Sequence, residues 1–281
     1  MDIINKISTM QTLTAELRNK QHKIAFVPTM GYLHKGHLEL MKIGRSKADS
    51  LIISIFVNPT QFGQNEDIER YPRDIEGDSK KAEDVGVDFL FFPDASEIYP
   101  EGYQTKIKIA ELSQCLCGIF RPGHFDGVAT IVAKLFNIVK PHTAIFGEKD
   151  RQQLQIIKQM VIDLNMDIEI IGAPIYREQD GLAMSSRNSY LSIEERGSAL
   201  CLKGALDIAK SMTLNGEKKS FKIVDTIAKY ILEHQFTKID YISICDPETL
   251  HSVDIIAGPV LIALAVFVGK TRLIDNAVIT I

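Results

Sequence analysis

The sequence predicts an α/β fold: a doubly wound, mostly parallel sheet followed by a smaller α+β domain. Three observations predict it. Short apolar runs recur along the first part of the chain, separated by stretches with helical spacing. The longer runs are apolar on both faces, as strands covered by helices on either side must be. Polar and glycine-bearing residues follow several runs on their C-terminal side, where open α/β sheets hold ligands.

The first strand is residues 24–27, and the spacing of Leu38, Leu40 and Met41 predicts a helix after it. Residues 51–57 read as a second strand buried on both faces, and 87–92 as a third, ended by Pro93. The charged stretch 74–85 between them has helical potential. An amphipathic stretch at 128–139 precedes a fourth strand at 143–146, and the helical pattern 152–164 precedes a fifth at 167–171. Strands alternating with helices imply right-handed βαβ units, so a Rossmann-like domain is expected over residues 1–175. The pattern changes near residue 176. Ser192 followed by Glu195 offers a capping box for a helix to about Met212, and a second helix is expected over 221–234. Residues 240–244, 260–268 and 272–279 read as strands, giving a smaller α+β domain over 176–281.

Composition narrows the function. The chain has 281 residues, 45% hydrophobic, enough for a substantial core and two domains. A net charge of −4, from 32 basic and 36 acidic side chains, argues against bulk attraction to nucleic acid or an anionic membrane. Any phosphate site must therefore be local. The run at 260–268 is far short of a membrane span, and the N-terminus leads into polar residues. Cys115-Leu116-Cys117 has the wrong spacing for a zinc knuckle or redox pair, and Cys201 and Cys245 complete no disulfide framework. A soluble cytoplasmic protein with reduced thiols is expected.

The most telling stretch is Pro28-Thr29-Met30-Gly31-Tyr32-Leu33-His34-Lys35-Gly36-His37, a loop between a strand and a helix. A helix N-terminus leaves N–H groups unpaired and partly positive, two histidines add donors, and Gly36 lets a phosphate come close. Gly147-Glu148-Lys149-Asp150 follows the fourth strand, with a cation for a phosphate or carboxylate and a carboxylate that can accept from a ribose hydroxyl or hold Lys149 in place. Met184-Ser185-Ser186-Arg187-Asn188 offers two hydroxyls and a guanidinium fork in five residues. The amides of Asn58 and Gln61, after the second strand, donate and accept without charge, which suits hydroxyl and carboxylate recognition, and the Gln153 amide can fix a substrate's polar group. Arg121-Pro122-Gly123-His124-Phe125 reads as a turn with cationic groups, either a substrate loop or a structural turn. No G-x-G-x-x-G follows the first strand, so a dinucleotide cofactor is not expected. Gly269-Lys270-Thr271 imitates a P-loop end, but Leu264 stands where that motif needs glycine, so it reads as a turn.

As an ordered set, these blocks resemble the pantoate–β-alanine ligase family. The resemblance rests on 28–37, Phe-Val-Asn-Pro-Thr-Gln-Phe at 56–62, Arg-Tyr-Pro-Arg at 70–73, and Arg-Pro-Gly-His-Phe at 121–125. It continues through Phe-Gly-Glu-Lys-Asp-x-Gln-Gln at 146–153 and Asp-Gly-Leu-Ala-Met-Ser-Ser-Arg-Asn at 180–188. His-x-Gly-His alone would indicate only the wider nucleotidyltransferase and class I aminoacyl-tRNA synthetase superfamily. The resemblance implies adenylation of pantoate by ATP, then capture of the acyl group by β-alanine. It implies His37 as proton donor, with His34, Lys149 and Arg187 as further catalytic residues. Met30, Gly31, Gly36, Gly147, Glu148, Asp150, Tyr176, Met184, Ser185 and Ser186 would complete the ATP site. Gln61 and Gln153, with Asn58, would hold pantoate, and Gln61 would also lie near β-alanine. Magnesium would arrive with ATP, with Asp78 a candidate protein contact, and a homodimer is implied. Arg151 stands where the family commonly has an aromatic residue and could face solvent without consequence.

Overall fold

Six parallel strands in the order β1-β4-β3-β2-β5-β6 form the larger sheet: β1 Asp2–Ile4, β2 Ile24–Thr29, β3 Ser50–Ile55, β4 Phe89–Phe91, β5 Thr143–Gly147 and β6 Glu169–Ala173. The computed structural model describes residues 1–63, 66 and 68–280; Ile281, the end of the expected second domain, lies outside them. Two units are formed. The first comprises Met1–Gln114, Gly118–Glu148 and Gln153–Pro174; the second comprises Cys115–Cys117, Lys149–Gln152 and Ile175–Ile281.

In the first unit β3 is buried along its whole length, as are Ile24 to Val27 of β2, so the double-sided apolar pattern has its expected place in mid-sheet. The helices before β6 are α1 Ile7–Asn19, α2 Lys35–Lys47, α3 Ile75–Asp84, α4 Ala95–Ile98, α5 Cys117–Phe120, α6 His124–Val139 and α7 Arg151–Asp163, of which α5 and α7 start on residues of the second unit. The short helices α4 and α5, the strand β1 and the helix α1 go beyond the sequence reading. β1 is three residues long with only Ile4 buried, too short to show a period. The inward residues of α1 are Met10, Thr14 and Leu17, and the polar Thr14 interrupts its apolar stripe.

The order of strands reverses between β2 and β5. Their pairing is limited to Ala25↔Thr143 and Phe26↔Ala144. Beyond it, β2 pairs with β3 as far as Thr29↔Ile55, and β5 pairs with β6 as far as Gly147↔Ala173. The two central strands therefore part toward their C-terminal ends, which is where a doubly wound sheet offers a crevice.

The second unit holds the antiparallel sheet β7 Thr237–Cys245, β8 Val260–Val268 and β9 Thr271–Ile279, with α8 Ile193–Ala199, α9 Cys201–Leu214 and α10 Ser220–Leu232. The capping box opens α8 as expected: Ser192 Oγ accepts from Glu195 N–H, and Glu195 accepts from Ser192 N–H. The single helix expected from 192 to 212 is two, divided at Leu200, a break that apolar spacing does not reveal. Gly269-Lys270 is the two-residue loop between β8 and β9. Gly269 has φ +58° and Val268 pairs with Thr271, so the P-loop imitation is a hairpin turn.

Candidate active site

The loop after β2 is held by the Thr29 hydroxyl and by α3. Thr29 Oγ1 donates to Ser54 O at 2.8 Å and accepts from Gly31 N–H at 3.1 Å. Gly31 and Tyr32 both have positive φ, +83° and +51°. A Cβ on Gly31 would lie 2.9 Å from Ile55 Cγ2, so glycine is required there for space as well as conformation. Asp78 of α3 accepts from Tyr32 N–H and Leu33 N–H, each at 2.6 Å, and Lys81 Nζ donates to Leu33 O at 3.0 Å. Asp78 is 1% exposed, and burial raises its carboxyl above the usual range against the pull of those two N–H groups and Lys81. The residue expected as a metal contact thus grips the loop that leads into the histidines. Among the described residues, no group of three or more His, Cys, Asp or Glu side chains is arranged to hold a metal ion.

His34 is the N-cap of α2 and His37 lies in its first turn, so both imidazoles stand at the positive end of a 13-residue helix. Their rings stack, with centroids 4.0 Å apart and planes 19° from parallel. His34 N–H donates to His37 Nδ1 at 3.3 Å. A backbone amide can only donate, so Nδ1 of the neutral ring is the acceptor and its proton sits on Nε2. Gly36 lies between the two histidines in sequence, in the same first turn.

Gln61 is held from three sides. Asn58 is 1% exposed and its Nδ2 donates to Gln61 Oε1 at 3.0 Å and to Gly127 O at 3.1 Å. Asn58 Oδ1 accepts from Tyr99 OH at 2.8 Å and from Thr60 Oγ1 at 3.0 Å. Every polar atom of the Asn58 amide is thereby engaged within the protein. Gln61 Nε2 donates to Met30 Sδ at 3.2 Å, which ties the amide to the loop after β2. The carbonyl of Gln61 accepts from His124 Nδ1 at 2.8 Å; because Arg121 NH1 lies 3.0 Å from Nε2 and can only donate, the ring proton belongs on Nδ1. Arg121 forks onto Glu66 through Nε and NH2. Burial alone would raise the Glu66 carboxyl; the Arg121 hydrogen bond and charge, with smaller help from Gly63 and His124, outweigh it and hold the group below the usual range. The cationic turn at 121–125 is therefore the start of α6 and a clamp on Gln61. On the other side of the Asn58 amide, Lys134 Nζ sits 4.4 Å from the centre of the Tyr103 ring and 5.7 Å from that of Tyr99. Gly147 ends β5 and Glu148 follows it; a Cβ on Gly172 would lie 3.1 Å from Glu148 Oε1. Gln153 is half-buried on α7.

The second unit carries the other polar residues. Lys149 and Asp150 lie in one turn of 3-10 helix. Burial pushes the Lys149 amine below its ordinary range; Asp150 and Asp275 oppose that shift, and the Arg187 charge adds to it. Residues 176–184 form a narrow turn in which Met184 N–H donates to Tyr176 O at 3.0 Å and Arg177 NH1 donates to Gly181 O at 3.1 Å. Ser185 Oγ accepts from Arg187 N–H at 3.3 Å, opening a short 3-10 segment, Ser186–Tyr190. Asn188 is buried and its Nδ2 donates to Glu178 Oε1 at 2.7 Å and Ala183 O at 3.1 Å, tying this segment to the turn. Arg151, which could have faced solvent without consequence, is half-buried and donates to Pro247 O at 3.4 Å.

Residues 2–278 match the family described as Pantoate-beta-alanine ligase. The chain belongs to this family. Curated members are similar along nearly the whole length of the ligase chain. The pantothenate synthetase of Syntrophus aciditrophicus is 55% identical over 278 residues, 99% of this chain and 97% of its own. That of Caldicellulosiruptor bescii is 53% identical over 279 residues, 99% of each. Among solved structures, the pantothenate synthetase of Thermus thermophilus superposes with a TM-score of 0.93 at 40% identity, covering 99% of both chains. The pantoate-beta-alanine ligase of Francisella tularensis, solved in complex with beta-gamma ATP and beta-alanine, gives 0.79 at 36% identity, covering 99% of this chain and 97% of that one.

Within this ligase fold the sequence reading left several residues unassigned. Tyr99, His124, Arg121 and Glu66 hold Asn58 and Gln61, and Asn188 holds the segment carrying Arg187. Asp275 and Asn276 were visible as a polar pair inside the apolar run Leu273–Ile279; a buried polar pair demands partners, and that demand was the available signal.

Proposed function

We infer that the chain condenses pantoate with β-alanine to give pantothenate at the expense of ATP. Membership of the ligase family over residues 2–278 carries this conclusion. In the first step a pantoate carboxylate oxygen attacks the α-phosphorus of ATP, and the bond from that phosphorus to pyrophosphate breaks. In the second, the amine of β-alanine attacks the acyl carbon of pantoyl adenylate, loses a proton, and AMP departs. A carboxylate is a poor acyl donor, and adenylation supplies the leaving group. Catalysis then rests on positioning and on stabilising charge that builds on phosphate oxygens.

His37 is the proton donor in this reading, through the Nε2–H that its bond from His34 N–H leaves available. His34 lines the phosphates from the helix N-cap, with Met30, Gly31 and Gly36 letting the nucleotide approach the backbone. Gln61 and Gln153 take the hydroxyl and carboxylate groups of pantoate, Gln61 also serves β-alanine, and Asn58 keeps the Gln61 amide in its orientation. Gly147 and Glu148 border the nucleotide, Lys149 contacts phosphate, and Asp150 accepts from the ribose. Tyr176 meets adenine through its main chain, and Met184, Ser185, Ser186 and Arg187 close on the phosphates. Magnesium enters with ATP, held mainly by phosphate oxygens and water. Asp78, whose two oxygens each accept one backbone N–H, holds the loop and stays the candidate protein contact for the metal through its remaining lone pairs. The residue ranges 1–175 and 176–281 are proposed as the nucleotide-and-pantoate domain and the closing domain. Four free thiols suit a cytoplasmic enzyme, and a homodimer completes the proposal, testable by sedimentation.

The deciding assay is pyrophosphate release from ATP. It should require pantoate alone, and AMP and pantothenate should appear only when β-alanine is added. Pyrophosphate release independent of pantoate would overturn the reading.

A further inference from the structure

We propose that Asp275 and Asn276 of β9 are positioning residues that set the second unit's phosphate-binding cations, one gripping the turn before Arg187 and the other the segment of Lys149. The proposal rests on the reading that Lys149 and Arg187 bind ATP phosphates. Asp275 is 2% exposed and accepts from both terminal nitrogens of Arg177, at 2.6 and 2.9 Å. Arg177 in turn donates to Gly181 O and pairs with Ala183 across the narrow turn, at whose end Met184 N–H meets Tyr176 O. Fixing Arg177 thus fixes the residues that lead into Ser185, Ser186 and Arg187. The neighbouring Asn276 is 6% exposed, and its Nδ2 donates to Lys149 O at 2.9 Å.

The strand itself is a firm base. β9 pairs with β8 along its full length, with Leu264 opposite Asp275 and Ala263 opposite Asn276. Successive strand residues point to opposite sides, which lets one dipeptide hold two separate segments. Charge gives the arrangement a second purpose. Lys149, Arg177 and Arg187 are three cations in one unit, and the charges acting on Lys149 come from Asp150 beside it, Arg187 of the 3-10 segment and Asp275 of β9. Asp275 is the buried counter-charge among them. A carboxylate that served the fold alone would leave ATP affinity unmoved when neutralised in a protein that still folds. A counter-charge for a phosphate-binding lysine would not.

The test measures affinity for ATP with magnesium by calorimetry across neutral and alkaline pH, on the intact chain and on Asp275→Asn and Asn276→Ala, with thermal melts of each. Asp275→Asn removes an influence that keeps Lys149 protonated. Its ATP affinity should fall about tenfold, and the alkaline loss of affinity should begin at lower pH than in the unaltered protein. Asn276→Ala keeps the charge, so affinity should fall several-fold with the alkaline limb unmoved. The proposal is overturned if a folded Asp275→Asn keeps its affinity within twofold and its pH profile unchanged. Should that variant fail to melt cooperatively, Asn276→Ala decides, and affinity within twofold of the unaltered protein overturns it. Loss of pantoate-dependent pyrophosphate release in the unaltered protein would refute the assigned reaction and leave the ATP-affinity result to judge this proposal.

Discussion

Substituting Gly127 by alanine sets two effects of opposite sign against each other. Gly127 lies inside α6, where alanine is normally favoured by ~1 kcal/mol. Its Cβ, however, would lie 2.4 Å from Thr60 O, 2.6 Å from Thr60 C and 2.8 Å from Gln61 Cα. These are backbone atoms and cannot rotate away. Ordinary contact begins at 3.4 Å, so α6 and the Thr60–Gln61 backbone must separate by 1.0 Å. Overpacking of this kind costs ~1–3 kcal/mol, so the clash outweighs the helix gain and the net effect is destabilising. The melting temperature should drop by roughly 2–4 °C for each kcal/mol lost. The larger effect is on substrate. Separation breaks the Asn58–Gly127 bond at 3.1 Å and moves Gln61 by the same ångström, and a misplacement of about 1 Å costs ~10²-fold in rate. The assay is kcat/KM for pantoate in ATP–pyrophosphate exchange, beside a thermal melt. A raised melting temperature with kcat/KM within twofold of the unaltered protein would refute the close-approach argument.

Three further outcomes follow from the same geometry. His37→Ala should melt normally and lose ~3–4 kcal/mol of transition-state stabilisation, roughly 10²–10³-fold in pantoate adenylation; full exchange activity would remove His37 from the mechanism. Asn58→Asp keeps shape but turns a donor into an anion facing Gln61 Oε1 and Gly127 O in a site 1% exposed, and should cost ~3 kcal/mol in urea unfolding; an unmoved midpoint would show the amide orientation to be immaterial. Glu66 has a folded carboxyl pKa below its ordinary 4.5, so the folded state binds its proton less readily than the unfolded chain. The stability it contributes is present above 4.5 and disappears as pH falls through the lower folded value. The stability difference between the unaltered protein and Glu66→Gln should accordingly be constant from neutral pH to 4.5 and shrink below it; a gap that persists into strong acid would separate Glu66 from the Arg121 clamp.

Apolar pattern made much of the fold legible. The run at 51–57 holds the buried strand Ser50–Ile55, the run at 260–268 is a buried strand, the Ser192–Glu195 box opens a helix, and Gly269-Lys270 turns a hairpin. Each of these depends on residues within a few positions of one another. The strand β1 and the break at Leu200 were not legible, because three residues carry no period and a helix can bend or divide without changing its apolar face. The motif residues identified the ligase family through their order along the chain. They did not reveal how any side chain is held.

Asp78 shows why. Its carboxylate grips N–H groups 45 and 46 residues away, and nothing around position 78 tells such a clamp from a surface aspartate. The same holds for Asp275 and Arg177, 98 residues apart, and for Asn276 and Lys149, 127 apart. By itself the sequence determined where most of the strands and longer helices lie, which family they compose, and which residue types stand at the C-terminal ends of the strands. Only the tertiary structure decided which nitrogen of His37 keeps its proton, what holds Gln61 in place, and which carboxylate answers the cations of the second unit. Hydrophobic burial is a sum over local pattern and can be read along the chain. The satisfaction of a buried polar group is a matter of which distant atom arrives within about 3 Å of it, and that is settled only when the chain has folded.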